Sequence, residues 1–233
     1  MNRFLRSTAG IALSVMCLLA GLSQTATSQI YYVLGHNGAT GGGYTTAAAT
    51  SYLNPLDDWY WTERCQYVIR ATDMTQIGVS PGLIESFSFF ITANTASFAS
   101  REITIRLRTT TNVNATSPMN TTNFTTVFNQ TGWSIPPYGS MPEAQTVVNG
   151  QTGKWYQFKF QTPFMWNGTS NLEYEICTYR GGYTTIGPTV QIAIQGQGGG
   201  SYFPMSYYYN DGANYCNTSV GYGTVNARPT MRI

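Results

Sequence analysis

The chain of 233 residues is only 9% charged, and its 24 glycines and 17 tyrosines stand among abundant threonine and asparagine. Few strong helix formers and many strand and turn formers point to an all-β protein, and the regular spacing of aromatic and β-branched residues argues against disorder. The formal charge of +2 belongs to Arg3 and Arg6; beyond residue 28, ten basic residues face ten acidic ones, which leaves no basic stripe for nucleic acid.

Residues 1–28 read as a signal peptide: Arg3 and Arg6, an apolar stretch over 11–22, then small Ala26, Thr27 and Ser28, with cleavage expected before Gln29. The apolar stretch is too short for a comfortable membrane span, and no later segment approaches the roughly 20 apolar residues that a spanning helix needs. Met16 before Cys17 makes a poor lipobox, so no lipid anchor is expected. Residues 29–233 are expected to form a single β-sandwich domain, since neither an internal repeat nor a long linker divides them.

In chain order, Ile30, Tyr31, Tyr32, Val33 and Leu34 make a short apolar strand, and the Gly-, Ala- and Thr-rich residues 35–55 a loop. Residues 61–70 form the next strand, and 71–78, with Met74 and Ile77 three apart, one or two helical turns ended by Pro81 and Gly82. Over residues 83–92, Phe87, Phe89 and Ile91 share one face. Residues 101–110 alternate most cleanly, Ile103, Ile105 and Leu107 on one side and Glu102, Thr104, Arg106 and Arg108 on the other. A strand with one dry and one wet face belongs to an antiparallel sheet.

A polar loop (112–123), a short strand (124–128) and a proline-rich crossover (132–142) follow. Residues 155–161 then place Tyr156, Phe158 and Phe160 on one face. Asn167-Gly168 is a tight-turn signal before 172–179, where Leu172, Tyr174 and Ile176 alternate with Glu173, Glu175 and Cys177, and the two strands are predicted to pair as a hairpin. Residues 190–195, 207–209 and 230–233 are closing strands, with a flexible connection at 196–200. Nine or ten strands without a long helix make a two-sheet antiparallel β-sandwich, jelly-roll-like, with one helical turn near 71–78.

No catalytic constellation emerges. His36 is the only histidine and lies in a glycine-rich loop without an acid or nucleophile beside it. That loop lacks the Lys-Ser or Lys-Thr ending of a phosphate-binding loop. Glu173 and Glu175 project on one face about 7 Å apart, a glycosidase-like separation, but on a half-buried strand they read as solvated surface carboxylates. Asp57-Asp58 and Asn210-Asp211-Gly212 offer oxygen ligands, and turn formation accounts for the latter equally well. No cofactor and no metal is expected.

Two aromatic clusters stand out: Trp59, Tyr60 and Trp61, and Tyr207, Tyr208 and Tyr209. Consecutive residues on a strand alternate faces, so at least one ring of each cluster points away from the core, available to stack on a sugar or to be buried by another subunit.

The stretch Trp155-Tyr-Gln-Phe-Lys-Phe-Gln-Thr-Pro-Phe-Met-Trp-Asn-Gly-Thr-Ser-Asn-Leu-Glu-Tyr-Glu-Ile-Cys177 resembles a signature of modular secreted surface proteins of bacteria that use the type IX secretion system. Arg64-Cys-Gln-Tyr-Val-Ile-Arg-Ala-Thr-Asp-Met74 and Arg228-Pro-Thr-Met-Arg-Ile233 resemble the same family's early strand with its helical turn and its closing strand. The resemblance implies a β-sandwich without activity of its own beside adhesive or enzymatic modules. This chain differs in standing alone and in ending at Ile233 without the separate C-terminal export domain, so the expectation is that it acts by assembling.

Of the mature cysteines, Cys177 shares the Glu173 face, and the late loop holding Cys216 is placed to reach it; the resemblance implies the same Cys177–Cys216 pairing. Cys65 is then left over, buried or available between subunits. The expectation is a secreted, non-enzymatic structural or adhesive protein at the cell surface. It would be a self-assembling filament or layer subunit, with residues Ile30–Leu34 as an assembly strand; the alternative is a carbohydrate-binding module.

Overall fold

In the computed structural model, which describes residues 32–34, 43–48, 51–56, 59–94, 101–182, 187–194 and 202–233, strand β5 (Arg101–Thr110) carries the predicted alternation. Ile103, Ile105 and Leu107 are buried, while the residues between them are half-buried or exposed. β5 belongs to a six-stranded antiparallel sheet ordered β12 (Gly223–Val225), β11 (Met205–Asn210), β3 (Thr62–Ile69), β9 (Asn171–Tyr179), β5 and β6 (Thr125–Trp133). Residues 31–233 form one compact unit. The leader 1–28, residues Ile30 and Tyr31, His36, Asp57-Asp58 and the connection 196–200 lie outside the described residues.

The opposing sheet has eight strands. β4 (Gly82–Ala93) pairs with β8 (Gln151–Trp166) on one edge, and on the other with β14 (Met231–Arg232) and then β10 (Thr189–Ile194). β1 (Val33–Leu34) extends β14, β7 (Thr146–Val148) extends β8, and β2 (Gly43–Ala47) and β13 (Ala227–Pro229) flank β10. β2 falls inside the segment read as a loop. Its Gly-Tyr-Thr-Thr-Ala sequence has no apolar alternation, and it becomes a strand only because β10 offers an edge along its length.

Between the sheets lies an aromatic core. Phe87 meets Tyr174 edge-on across the gap at 5.2 Å, Phe128 meets Phe158 at 5.6 Å, and Tyr67 stacks on Tyr174 at 4.7 Å. Edge-to-face and offset arrangements of this kind suit the ring quadrupoles. The predicted helical turn is present as α1 (Ala71–Gln76), which buries Met74 and Asp73; Asp73 forms an ion pair with buried Arg228 at 3.1 Å.

The hairpin predicted at Asn167-Gly168 is corrected by the structure. β8 and β9 join different sheets, so residues 167–170 carry the chain from one layer of the sandwich to the other. The Asn167 carboxamide oxygen accepts the backbone N–H groups of Thr169 and Ser170, and the Trp166 indole donates to the Ser170 carbonyl at 2.8 Å. Turn chemistry is thus as the sequence suggests. What redirects β9 is its own pairing, with β3 along one edge and β5 along the other.

Gly168 has φ +82°, and a Cβ there would fall 2.3 Å from Pro81 Cγ. Gly168→Ala is expected to destabilise the fold by about 2 kcal/mol, since a left-handed backbone and a clash add together. A shift in the denaturation midpoint measures this, and an unchanged midpoint would show that the corner tolerates a side chain.

Candidate functional site

The tyrosine cluster of the sequence grows in the structure into a ring array at one rim of the sandwich. β11 pairs with β3 along its whole length but with β12 only over Met205–Tyr207, which leaves the outer edge of its second half to other groups. Tyr222 fills that place: its backbone N–H donates to the Tyr207 carbonyl at 3.0 Å, and its ring lies 4.9 Å from both Tyr208 and Tyr209.

On the core-facing side, Tyr52 stacks on Tyr207 at 4.5 Å and Tyr60 on Tyr209 at 4.1 Å; Tyr208 projects to the opposite face against Tyr215 at 5.3 Å. Tyr222, Tyr52 and Trp59 are 55%, 40% and 37% exposed. Trp61 is half-buried, its backbone N–H donating to Asp211 Oδ1 at 3.3 Å and its carbonyl accepting from Arg180. Asp211 therefore serves the turn. Burial first, and neighbouring tyrosines second, raise the phenols of Tyr207 and Tyr208. Tyr52, Tyr215 and Tyr222 escaped sequence reading because each is a lone aromatic in a loop, recruited only by the position of β11.

Val33 and Leu34 of the N-terminal segment pair with Arg232 and Met231 of the same chain, and Tyr32 exchanges two backbone hydrogen bonds with Ile233, at 3.1 and 3.0 Å. Leu34 is fully buried in the core, while Val33 is exposed.

Glu173 and Glu175 are not surface carboxylates. Both are buried, because the loops around residues 115–122 and 213–220 cover this face of the six-stranded sheet. Glu175 Oε2 accepts from Arg64 Nε at 2.8 Å, Arg64 Nη2 at 2.5 Å and Gln66 Nε2 at 2.6 Å. Arg106 Nη2 lies 2.8 Å from Oε1, an ion-pair distance without hydrogen-bond alignment. Glu173 pairs with Arg108 at 2.5 Å, and burial raises its pKa against the opposing pull of Arg108.

The same arginines hold the covering loops. Arg64 donates to the carbonyls of Thr218 and Asn120, Gln66 exchanges hydrogen bonds with Asn120, and Arg106 donates to the Cys216 carbonyl. The Cys177–Cys216 disulfide, Cα–Cα 5.6 Å, ties loop to sheet, as expected. Cys65 is buried in the core beside Tyr67, so its own thiol is not at the surface for a second subunit. Alongside the disulfide, a cleft of about 290 Å³ opens over β5 and β6, with Glu102, Asn129, Tyr179 and Asn217 among its walls.

Buried phenols make the fold sensitive to alkali. Burial holds Tyr67 and Tyr174 well above the ordinary range and pushes Tyr202 up to about 12. Unfolded tyrosine loses its proton near pH 10 while the folded one keeps it, so stability is intact below about pH 10 and falls as pH rises toward 12. Tyr202 alone accounts for about 3 kcal/mol over that window. Thermal unfolding followed from about pH 8 to about pH 12 is expected to show this fall, with Tyr202→Phe flattening it; a melting temperature constant over the range would contradict the assignment.

No protein-family model matches the chain, and no curated protein matches it. Among solved structures it is similar, at 4% identity and a TM-score of 0.38, to the cysteine protease and lectin-like domains of Cwp84, a surface layer associated protein of Clostridium difficile; the match covers 76% of this chain and 32% of that one.

Proposed function

We propose that this chain is a non-enzymatic extracellular protein of structural or adhesive kind, exported through its leader, whose working surface is the tyrosine rim and whose partner there is a second copy of itself. The observation that carries this reading is the rim: rings of Tyr52, Tyr207, Tyr208, Tyr209 and Tyr222 gathered in mutual contact with their outer members open to solvent. Tyrosine and tryptophan offer large rigid contact area at low entropic cost, which is why they concentrate at interfaces. A mature chain with no net charge does little to oppose self-association. The disulfide fits an oxidising compartment, and the resemblance to type IX-secreted surface proteins supplies the bacterial context. The strand at Val33–Leu34 offers a second contact, because a neighbouring copy can supply the same two-residue pairing to β14.

Light scattering and electron microscopy of the mature protein are expected to show concentration-dependent oligomers or filaments, weakened at least about tenfold by Tyr222→Ala combined with Tyr208→Ala. A monomer at every concentration would refute assembly. Exposed Trp59 at the rim favours glycan adhesion as the second reading; retention on polysaccharide that Trp59→Ala abolishes is its signature.

A further inference from the structure

We infer that the cleft beside the disulfide is a binding site for a neutral saccharide, separate from the tyrosine rim. Its floor is the outer face of three adjacent strands, on which Tyr179 stands opposite Glu102, Thr104 opposite Asn129, and Arg106 opposite Thr126. Neighbouring strands lie about 4.8 Å apart, so the three strands span roughly 10 Å, wide enough for a sugar ring to lie across their side chains. Its wall is the loop carrying Asn214 and Asn217.

The hydrogen-bonding capacity of this surface is sorted in a particular way. Asn217 Oδ1 accepts from Arg106 Nη1 at 3.0 Å, Asn214 Oδ1 from the Cys216 N–H at 3.0 Å, and Asn129 Oδ1 from the Thr104 hydroxyl at 3.2 Å. Three carboxamides thus have their oxygens tied, leaving their NH₂ groups as donors. Glu102 supplies an exposed carboxylate acceptor, while Thr126 and Tyr179 carry hydroxyls that both give and take hydrogen bonds. A sugar presents closely spaced hydroxyls that each donate and accept, and this set answers both functions.

Charge and rigidity narrow the ligand class. Arg64 and Arg106 share the single carboxylate of Glu175, and Glu102 on the cleft surface offsets the remaining positive charge, so these four groups sum to zero, which suits a neutral ligand better than phosphate, sulfate or carboxylate. The disulfide and the Arg106 hydrogen bonds hold the wall in place before any ligand arrives, which spares the ordering cost of binding. The volume of about 290 Å³ suits one ring with its hydroxyls, at the small end of ligand sites.

Saturation-transfer NMR and calorimetry with glucose, galactose, mannose, N-acetylglucosamine and their methyl glycosides test the assignment. At least one is expected to bind in the millimolar range. Glu102→Gln and Asn217→Ala should each weaken it about tenfold, the worth of one charge-assisted or well-placed hydrogen bond. Disulfide reduction should weaken it further, whereas Tyr222→Ala should leave it unchanged.

Absence of binding by every sugar overturns the inference. So does binding indifferent to Glu102→Gln and Asn217→Ala, binding lost with Tyr222→Ala, or displacement of the sugar by phosphate. Assembly is read separately by light scattering, so the two proposals fail independently.

Discussion

Glu175→Ala is expected to cost about 3–5 kcal/mol, the largest effect of any single substitution argued from this structure. Its carboxylate answers Arg64 and Arg106 beneath two loops, and Arg64 is fully buried. Removing the acid strands a guanidinium in a place where water cannot replace the lost partner, and the penalty comes from that unpaired charge more than from the lost attraction. Arg64→Met together with Glu175→Leu removes the fully buried pair and leaves only Arg106, whose side chain reaches solvent, so it is expected to recover part of the loss, because buried ion pairs replaced by apolar side chains are often neutral. Chemical denaturation at neutral pH measures both; a double variant as unstable as Glu175→Ala would show that the carboxylate matters for loop geometry instead. Loop release also predicts faster amide exchange around Asn120 and Thr218, whose carbonyls Arg64 holds.

Removal of the disulfide, by Cys177→Ser with Cys216→Ser, is expected to cost about 4 kcal/mol. The bridge closes a loop spanning a sequence separation of 39, and the entropy of closing such a loop in the unfolded chain sets that figure. The hydrogen bonds of Arg64 and Arg106 to the same loop remain in the variant, so the loop should stay near the sheet at room temperature and detach first on heating. Comparison of reduced and oxidised protein in denaturant checks the magnitude, and equal midpoints would mean that the polar clamps suffice.

Much of the architecture was legible in side-chain alternation. β5, β8 and β9 show their inner faces directly, since Ile103, Ile105, Leu107, Phe158, Phe160, Leu172, Tyr174 and Ile176 repeat with period two and are all buried. The helical turn at Ala71–Gln76 followed from Met74 and its breakers. The rest was illegible because alternation reports that a face is polar, not whether something covers it. Glu173 and Glu175 read as a wet face, yet both are buried, with Arg64 and Gln66 beside them, under loops whose approach depends on carbonyls of Asn120 and Thr218. Polarity is retained there because every charge finds an opposite charge, which no local pattern announces.

The candidate sites divide the same way. Tyr207, Tyr208 and Tyr209 were visible as a run, and alternation alone required that one ring leave the core. That Tyr52, Tyr60, Tyr215 and Tyr222 converge on them depended on where β12 stops along β11. The polar cleft had no sequence signal, since its residues are drawn from β5, β6, β9 and a late loop, a gathering that exists only after the sheet has formed.

By itself the sequence determined the all-β class, the inward faces of the main strands, the turn at Asn167-Gly168 and the export signature as an expectation. These rest on properties local to a few residues: periodicity, turn chemistry and the order of charges and apolar residues. Tertiary structure decided which sheet each strand joins, that Glu173 and Glu175 are covered, and which distant tyrosines and asparagines meet. Those outcomes follow from pairing and burial between segments far apart in the chain, where the free energy of each contact depends on partners that no window of sequence contains.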